Sequence, residues 1–318
     1  MTTAAIAAPS LFSATESIVG PPLVFVTSLM AALADPGVAG EEFLPFGYDL
    51  TGTGNDTARF TFRSGIGAGN LMSARSSETA AIVETGYTLG YWTGTIASRV
   101  LGFGQSRYDR TMSLPGQSIQ ADEAGAEHAQ SAITTLHYLH AVAAAALSNV
   151  EGTSGAVFAV QTILDVVDFF EATAGYQGGA FGFLHPKQIK ELRSAFASYT
   201  GLQFPEPTVA MQSLSAGAAG ALVTRIFGLD VYKSTWVQSS GGDHQGWFQA
   251  PGKFVRGRAR PASMPGLIEL ARMDDWGLVT TAESSSAQSY TGVHTELLCG
   301  IATADDLVVP ATRARSVA

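Results

Sequence analysis

The residues that could do chemistry fall in a few short stretches. GIGAG at 65–69 follows the alternating run RFTFR, as a dinucleotide-binding loop follows a strand. The fingerprint needs G-x-G-x-x-G entering a helix, and here the spacing is wrong and polar residues follow, so the stretch reads as a loop. Gly246 to Lys253 approaches a phosphate-binding loop, but it has one residue too many before Gly252-Lys253, and Phe254 stands where a hydroxyl must coordinate magnesium. His137 and His140 share one helix face, yet Glu127 and His128 lie too far along that helix to complete a ligand set. They read as uncharged imidazoles packed against a neighbour. Cys299, the only cysteine, sits in the apolar run TELLCGIA and reads as a buried thiol. There is no G-x-S-x-G elbow. No catalytic residue, cofactor or metal ligand is therefore expected. Arg256, Arg258 and Arg260 alternate in VRGRARP and would share one face of a strand. They could meet phosphate or pair with acidic residues of another strand or subunit, and the second role is the better fit.

The elements that hold these residues follow from pattern. Residues 1–50 are rich in Ala, Pro and Gly and read as an extended arm with a short helix over Thr27 to Ala34. ARFTFR at 58–63 alternates like a strand, and 79–94 offers more strand material, so 51–113 reads as a two- or four-stranded projection. Ser118 to Asn149 has no proline, one glycine and apolar residues at helical spacing, which predicts a helix roughly 45 Å long, a strut rather than packing filler. A second helix is expected within 157–174. AFGFL is a short strand, and Pro186 then stands at the first position of an amphipathic helix whose apolar face is Ile189, Leu192, Phe196 and Tyr199. ALVTRIFGLDVYKS reads as two extended pieces broken at Gly228, and GWFQAPGKFVRGRARP as a hairpin turning at Pro251-Gly252. The order is α+β, without the regular alternation of a doubly wound parallel sheet.

Composition narrows the function classes. Charged residues are 14% of the chain, against roughly 25% in an ordinary domain. Much of the surface must be polar without charge or be covered, and copies of the chain are one cover. The charge is also blocked: no Lys or Arg precedes Arg59, basic residues then dominate to Arg110, and 111–186 again has none. Such blocks can pair within the chain or match across neighbouring subunits. A formal net charge of −9 argues against a general nucleic-acid binder. The apolar stretches Leu23 to Ala34 and Ala141 to Leu147 are too short to span a bilayer as helices, and no positive n-region of a secretory signal is seen.

GFLHPKQIKELRSAF, LVTRIFGLDVYKS and GWFQAPGKFV, in that order, resemble the major capsid proteins of tailed bacteriophages, whose fold is shared with encapsulins. The likeness covers about residues 110–318. It implies an N-terminal arm at 1–50, an extended β loop at 51–113, a peripheral domain with its long spine helix at 114–149, an axial domain at 150–245, and strands at 246–318 that return largely to the peripheral domain. The implied function is a shell protein that assembles as pentamers and hexamers into an icosahedral capsid around double-stranded DNA, made in the host cytoplasm and residing in the virion. Its partners would be copies of itself, portal, scaffolding and cement proteins, and packaged DNA bound without sequence preference, with no membrane. Within that picture Arg59, Arg63, Arg107 and Arg110, with Glu41 and Glu42, are the expected inter-subunit contacts. Some members weld their shells through a lysine of the extended loop, but the first lysine here is Lys187, so that bond is not expected. An encapsulin-like compartment and a soluble α+β enzyme are the alternative readings.

Overall fold

The computed structural model describes residues 22–34, 40–63, 89–106, 121–173, 179–198, 222–262, 268–285, 290–304 and 309–318. A mixed α+β fold is built on two sheets. The first carries β1 (Phe46–Asp49), β11 (Phe254–Arg258), β14 (Tyr290–Thr303), β13 (Leu278–Ser285) and β12 (Ile268–Met273) in that order, with β4 (Ala97–Ser106) also paired along β14. The second has the order β5 (Val150–Glu151), β15 (Ala311–Val317), β10 (Asp243–Gln249), β6 (Phe181–Leu184), β8 (Leu229–Lys233), β7 (Leu222–Ile226), with β9 (Ser239–Ser240) beside β10. A separate ribbon pairs β2 (Thr57–Arg63) with β3 (Leu89–Thr95).

One helix joins the two sheets. α2 (Ala121–Ala145) has 25 residues and is about 37 Å long at about 1.5 Å per residue. Its first half buries Ala129, Ala132, Ile133 and Leu136 against Leu278, Val293 and Leu297 of the six-stranded sheet. Its second half buries Ala141 and Ala144 against Phe183, Trp247 and Phe254. The small residues on α2 let the helix lie close to the strands, and the aromatic residues facing its second half fill the space. No basic residue stands in its last turn, but Arg313 of β15 donates from Nη1 to the Ala145 carbonyl at 3.2 Å. A cation from a distant strand thus meets the negative end of the helix dipole.

Part of the expected arm belongs to the core. α1 (Pro22–Leu33) buries Leu29 and Leu33 beside α2, and Phe43 and Leu44 are buried in the aromatic cluster of the second sheet. Two further helices among the described residues, α3 (Val160–Ala172) and α4 (Pro186–Ser198), bury Ile163, Val166, Phe170, Ile189 and Leu192 in a third cluster with Phe248 and Ala314 of the seven-stranded sheet.

The His-Pro stretch shows how sequence makes a strand-to-helix junction. Pro186 opens α4, where its missing N–H removes no bond. His185 before it acts as the cap: its Nδ1 accepts the Lys187 N–H at 3.2 Å, while Gln188 Oε1 accepts the His185 N–H at 3.0 Å. This is the reciprocal logic of a capping box with histidine in the hydroxyl's place. Gln188 is fully buried and its amide donates to the Ala314 carbonyl at 2.9 Å, so the same side chain ties the helix to β15.

The expected hairpin at 246–261 is not formed. β10 and β11 belong to different sheets: β10 pairs with β6, β9 and β15, and β11 with β1 and β14. The turn at Pro251-Gly252 carries the chain from one sheet to the other, because the edges of β10 and β11 are taken by strands remote in sequence. The break at Gly228 is as expected. Phe227 and Gly228 both have positive φ, 49° and 83°, the geometry of a two-residue hairpin turn, and Arg225 clasps Asp230 across it at 2.6 and 2.9 Å.

Candidate functional site

The histidines of α2 are structural. His128 Nδ1 lies 2.5 Å from Thr295 Oγ1 on β14, His137 Nε2 lies 3.0 Å from Ser234 Oγ, and His140 Nε2 lies 2.8 Å from Gln249 Oε1 on β10. All three are buried. Gln249 Oε1 also accepts the Trp247 indole N–H at 2.9 Å, and its amide donates to the Phe43 carbonyl at 3.2 Å. The oxygen can only accept, so His140 must carry its proton on Nε2. Burial holds the pKa of His128 and His140 down to about 4 and that of His137 down to about 3, with His294 adding to the first effect and His140 to the last. The imidazoles are therefore neutral pins that fix α2 to both sheets.

The other candidates are likewise held by packing. Lys253 is buried and its Nζ donates to the Ala304 carbonyl at 2.7 Å, so the near phosphate loop presents no free ammonium. Cys299 is buried and its thiol is pushed up to about 11 by desolvation, far from a thiolate. Among the described residues no group of three or more His, Cys, Asp or Glu is arranged to hold a metal ion. No helix among them is long and apolar enough to cross a membrane. GIGAG lies outside the described residues.

Two of the alternating arginines, Arg258 and Arg260, form salt bridges within the chain, and the third stacks on an aromatic ring. Arg256 is buried under Trp276, its guanidinium carbon 4.8 Å from the ring centre, and burial lowers its pKa while the charge of Glu41 opposes that shift. Arg258 stacks on Phe46 at 4.3 Å and bridges Asp49 at 3.2 Å and Asp275 at 3.1 Å. Arg260 pairs with Asp274. The row thus ties β1 and the turn before β13 to β11.

Next to it lies the root of the β2–β3 ribbon. Tyr48 of β1 is buried between β11 and β3, with the Phe60 ring 5.2 Å away edge-on and Phe60 stacked on Trp92 at 4.4 Å. The tyrosine fits there because Gly94 and Gly257 lack side chains: a Cβ on either would strike its ring. Its hydroxyl has no hydrogen-bond partner among the described residues, and burial pushes its pKa up to about 12. Spacing along the chain gives no hint of this socket, since the glycines that make it stand on separate strands. Gly257→Ala should cost about 2 kcal/mol by overpacking. In a Tyr48→Ala background the same change should cost little; urea unfolding of the four proteins measures the coupling, and equal costs in both backgrounds would rule out the socket.

The expected inter-subunit residues are only partly in view. Glu41 and Glu42 are exposed in the turn before β1, and Arg59 is exposed on β2 opposite Thr93. Arg63 ends β2, and its side chain lies outside the described set, as do Arg107 and Arg110 entirely. Within the chain the charge of Glu41 acts on Arg256.

No protein-family model matches the sequence, and no curated protein does. Solved structures do. A chain of the native GTA particle capsid superposes with a TM-score of 0.53 at 14% identity, covering 86% of this chain and 89% of that one. A chain of the mature capsid of bacteriophage PhiM1 gives 0.52 at 9% identity, with 84% of each chain covered. One from the Cyanophage Pam1 capsid gives 0.51 at 9%, covering 83% and 85%. The chain has the fold these particle proteins share.

Proposed function

We propose that this chain is the major capsid protein of a tailed phage, a structural rather than catalytic protein. Copies assemble as pentamers and hexamers into an icosahedral shell that encloses double-stranded DNA in the virion. The observation that carries this reading is the fold likeness over more than four fifths of the chain to three separate particle proteins. The internal design supports it. A strut pinned to both sheets gives a rigid body, and a two-stranded ribbon held at its base beside Tyr48 and β14 can be re-aimed without disturbing that body. One sequence that must occupy both five-fold and six-fold rings needs both properties.

In this reading the six-stranded sheet and α2 form the peripheral domain, the seven-stranded sheet with α3 and α4 forms the axial domain, and the ribbon is the root of the extended loop. Arg59, Arg63, Arg107 and Arg110 then meet acidic residues of neighbouring copies, and portal, scaffolding and cement proteins are the further partners. A net charge of −9 suits a wall that does not hold packaged DNA tightly. Sedimentation velocity at rising concentration tests the reading. Shell assembly predicts a sharp threshold above which large particles coexist with small capsomers. A gradual monomer–dimer equilibrium at every concentration would refute it.

A further inference from the structure

α3 and α4 carry matched stripes of opposite charge. On α3 the carboxylates are Asp165, Asp168 and Glu171; on α4 the cations are Lys187, Lys190 and Arg193. Both sets have the spacing i, i+3, i+6, which places neighbours on one helix face. In each set the first residue is half-buried and the other two are exposed. Each stripe faces away from its helix's buried side chains, Ile163, Val166 and Phe170 on one and Ile189 and Leu192 on the other.

Among the described residues none of the six forms an ion pair; Asp165 takes only the Gln161 amide, at 2.8 Å. Both stripes are also placed against their own helix dipoles, since Asp168 and Glu171 stand near the C-terminal end of α3 and Lys187 and Lys190 in the first turns of α4. Like charges three residues apart add repulsion within each stripe. Glu151 extends the acidic side: burial raises its pKa, and the charge of Asp165 raises it further.

We propose that the acidic stripe of α3 and the basic stripe of α4 are the two halves of one head-to-tail contact between copies of this chain. Two-fold pairing of either stripe with itself would oppose like charges, so the acidic stripe of one copy must meet the basic stripe of another. Made in one direction between successive copies, such a contact propagates from copy to copy until the rotation closes a ring. The proposal rests on the shell reading and names a surface through which neighbours in a ring recognise each other.

Charge reversal tests it on the full chain. Asp168→Lys with Glu171→Lys, and separately Lys190→Glu with Arg193→Glu, should each lower the assembled fraction at least about tenfold at low salt, because like charges then face each other. The thermal midpoint of the unassembled chain should change little, since all four side chains are exposed. The quadruple variant, in which the two stripes have exchanged sign, should assemble again. Double variants that assemble like wild type, or a quadruple variant that fails to recover, would overturn the contact while leaving the shell reading intact. A wild-type chain that forms no particles would bring down both.

Discussion

Trp247→Ala should remove about 4 kcal/mol of stability, the largest loss expected from any single substitution in this chain. The indole is fully buried where α2 crosses the seven-stranded sheet, 5.0 Å from the Phe183 ring and 5.3 Å from the His140 ring. Its N–H shares Gln249 Oε1 with His140, so truncation opens a cavity and also loosens the oxygen that holds one of the three pins. Trp247→Phe keeps most of the volume but loses the donor, and should cost roughly half as much. Urea unfolding of the unassembled chain measures both. A loss under about 1 kcal/mol for the alanine variant would mean that this junction can collapse around the gap, contrary to the close packing described here.

Stability should also fall as the solution is acidified from pH 6.5 to 5. The folded-state pKa of His128, His137 and His140 lies well below the usual 6.5, at about 4, 3 and 4. The unfolded chain therefore binds more protons in this window, and the stability present above pH 6.5 is lost on the way down. Each group should cost about 1.5 kcal/mol between pH 6.5 and 5, before most carboxylates titrate. His185 and His244, whose rings stack at 3.7 Å, have lowered pKa values from burial and act with the same sign. Denaturation midpoints at a series of pH values give the slope, and His140→Asn should flatten it. An unchanged midpoint across the window would show that the α2 imidazoles accept protons without breaking their bonds.

Local chemistry was legible in the sequence where a few adjacent residues decide the outcome. Pro186 with Ile189 and Leu192 marks the start and buried face of α4 within a single stretch, and the long proline-free run marks α2. The buried, uncharged state of His137 and His140 follows from their place on an apolar helix face. What pairs with what was less legible. Alternation around Pro251-Gly252 looks like a hairpin, but β14 and β15, which take the edges of β11 and β10, pair with them from about forty residues or more downstream. The arm at 1–50 lacks any strong pattern, yet Leu29, Leu33, Phe43 and Leu44 are core residues because α2 and the second sheet offer them a partner. The Tyr48 socket depends on Gly94 and Gly257 converging in space, which no local window contains. The contacts expected across subunits involve surfaces that one chain does not define, and of the arginines only the side chain of Arg59 is in view.

The most direct measurement is electron microscopy of the purified chain, expressed alone and together with its neighbouring genes. Closed icosahedral particles, or free rings of five and six copies, are the predicted result. A uniform monomer or dimer under both conditions would contradict the account and return attention to a soluble α+β protein.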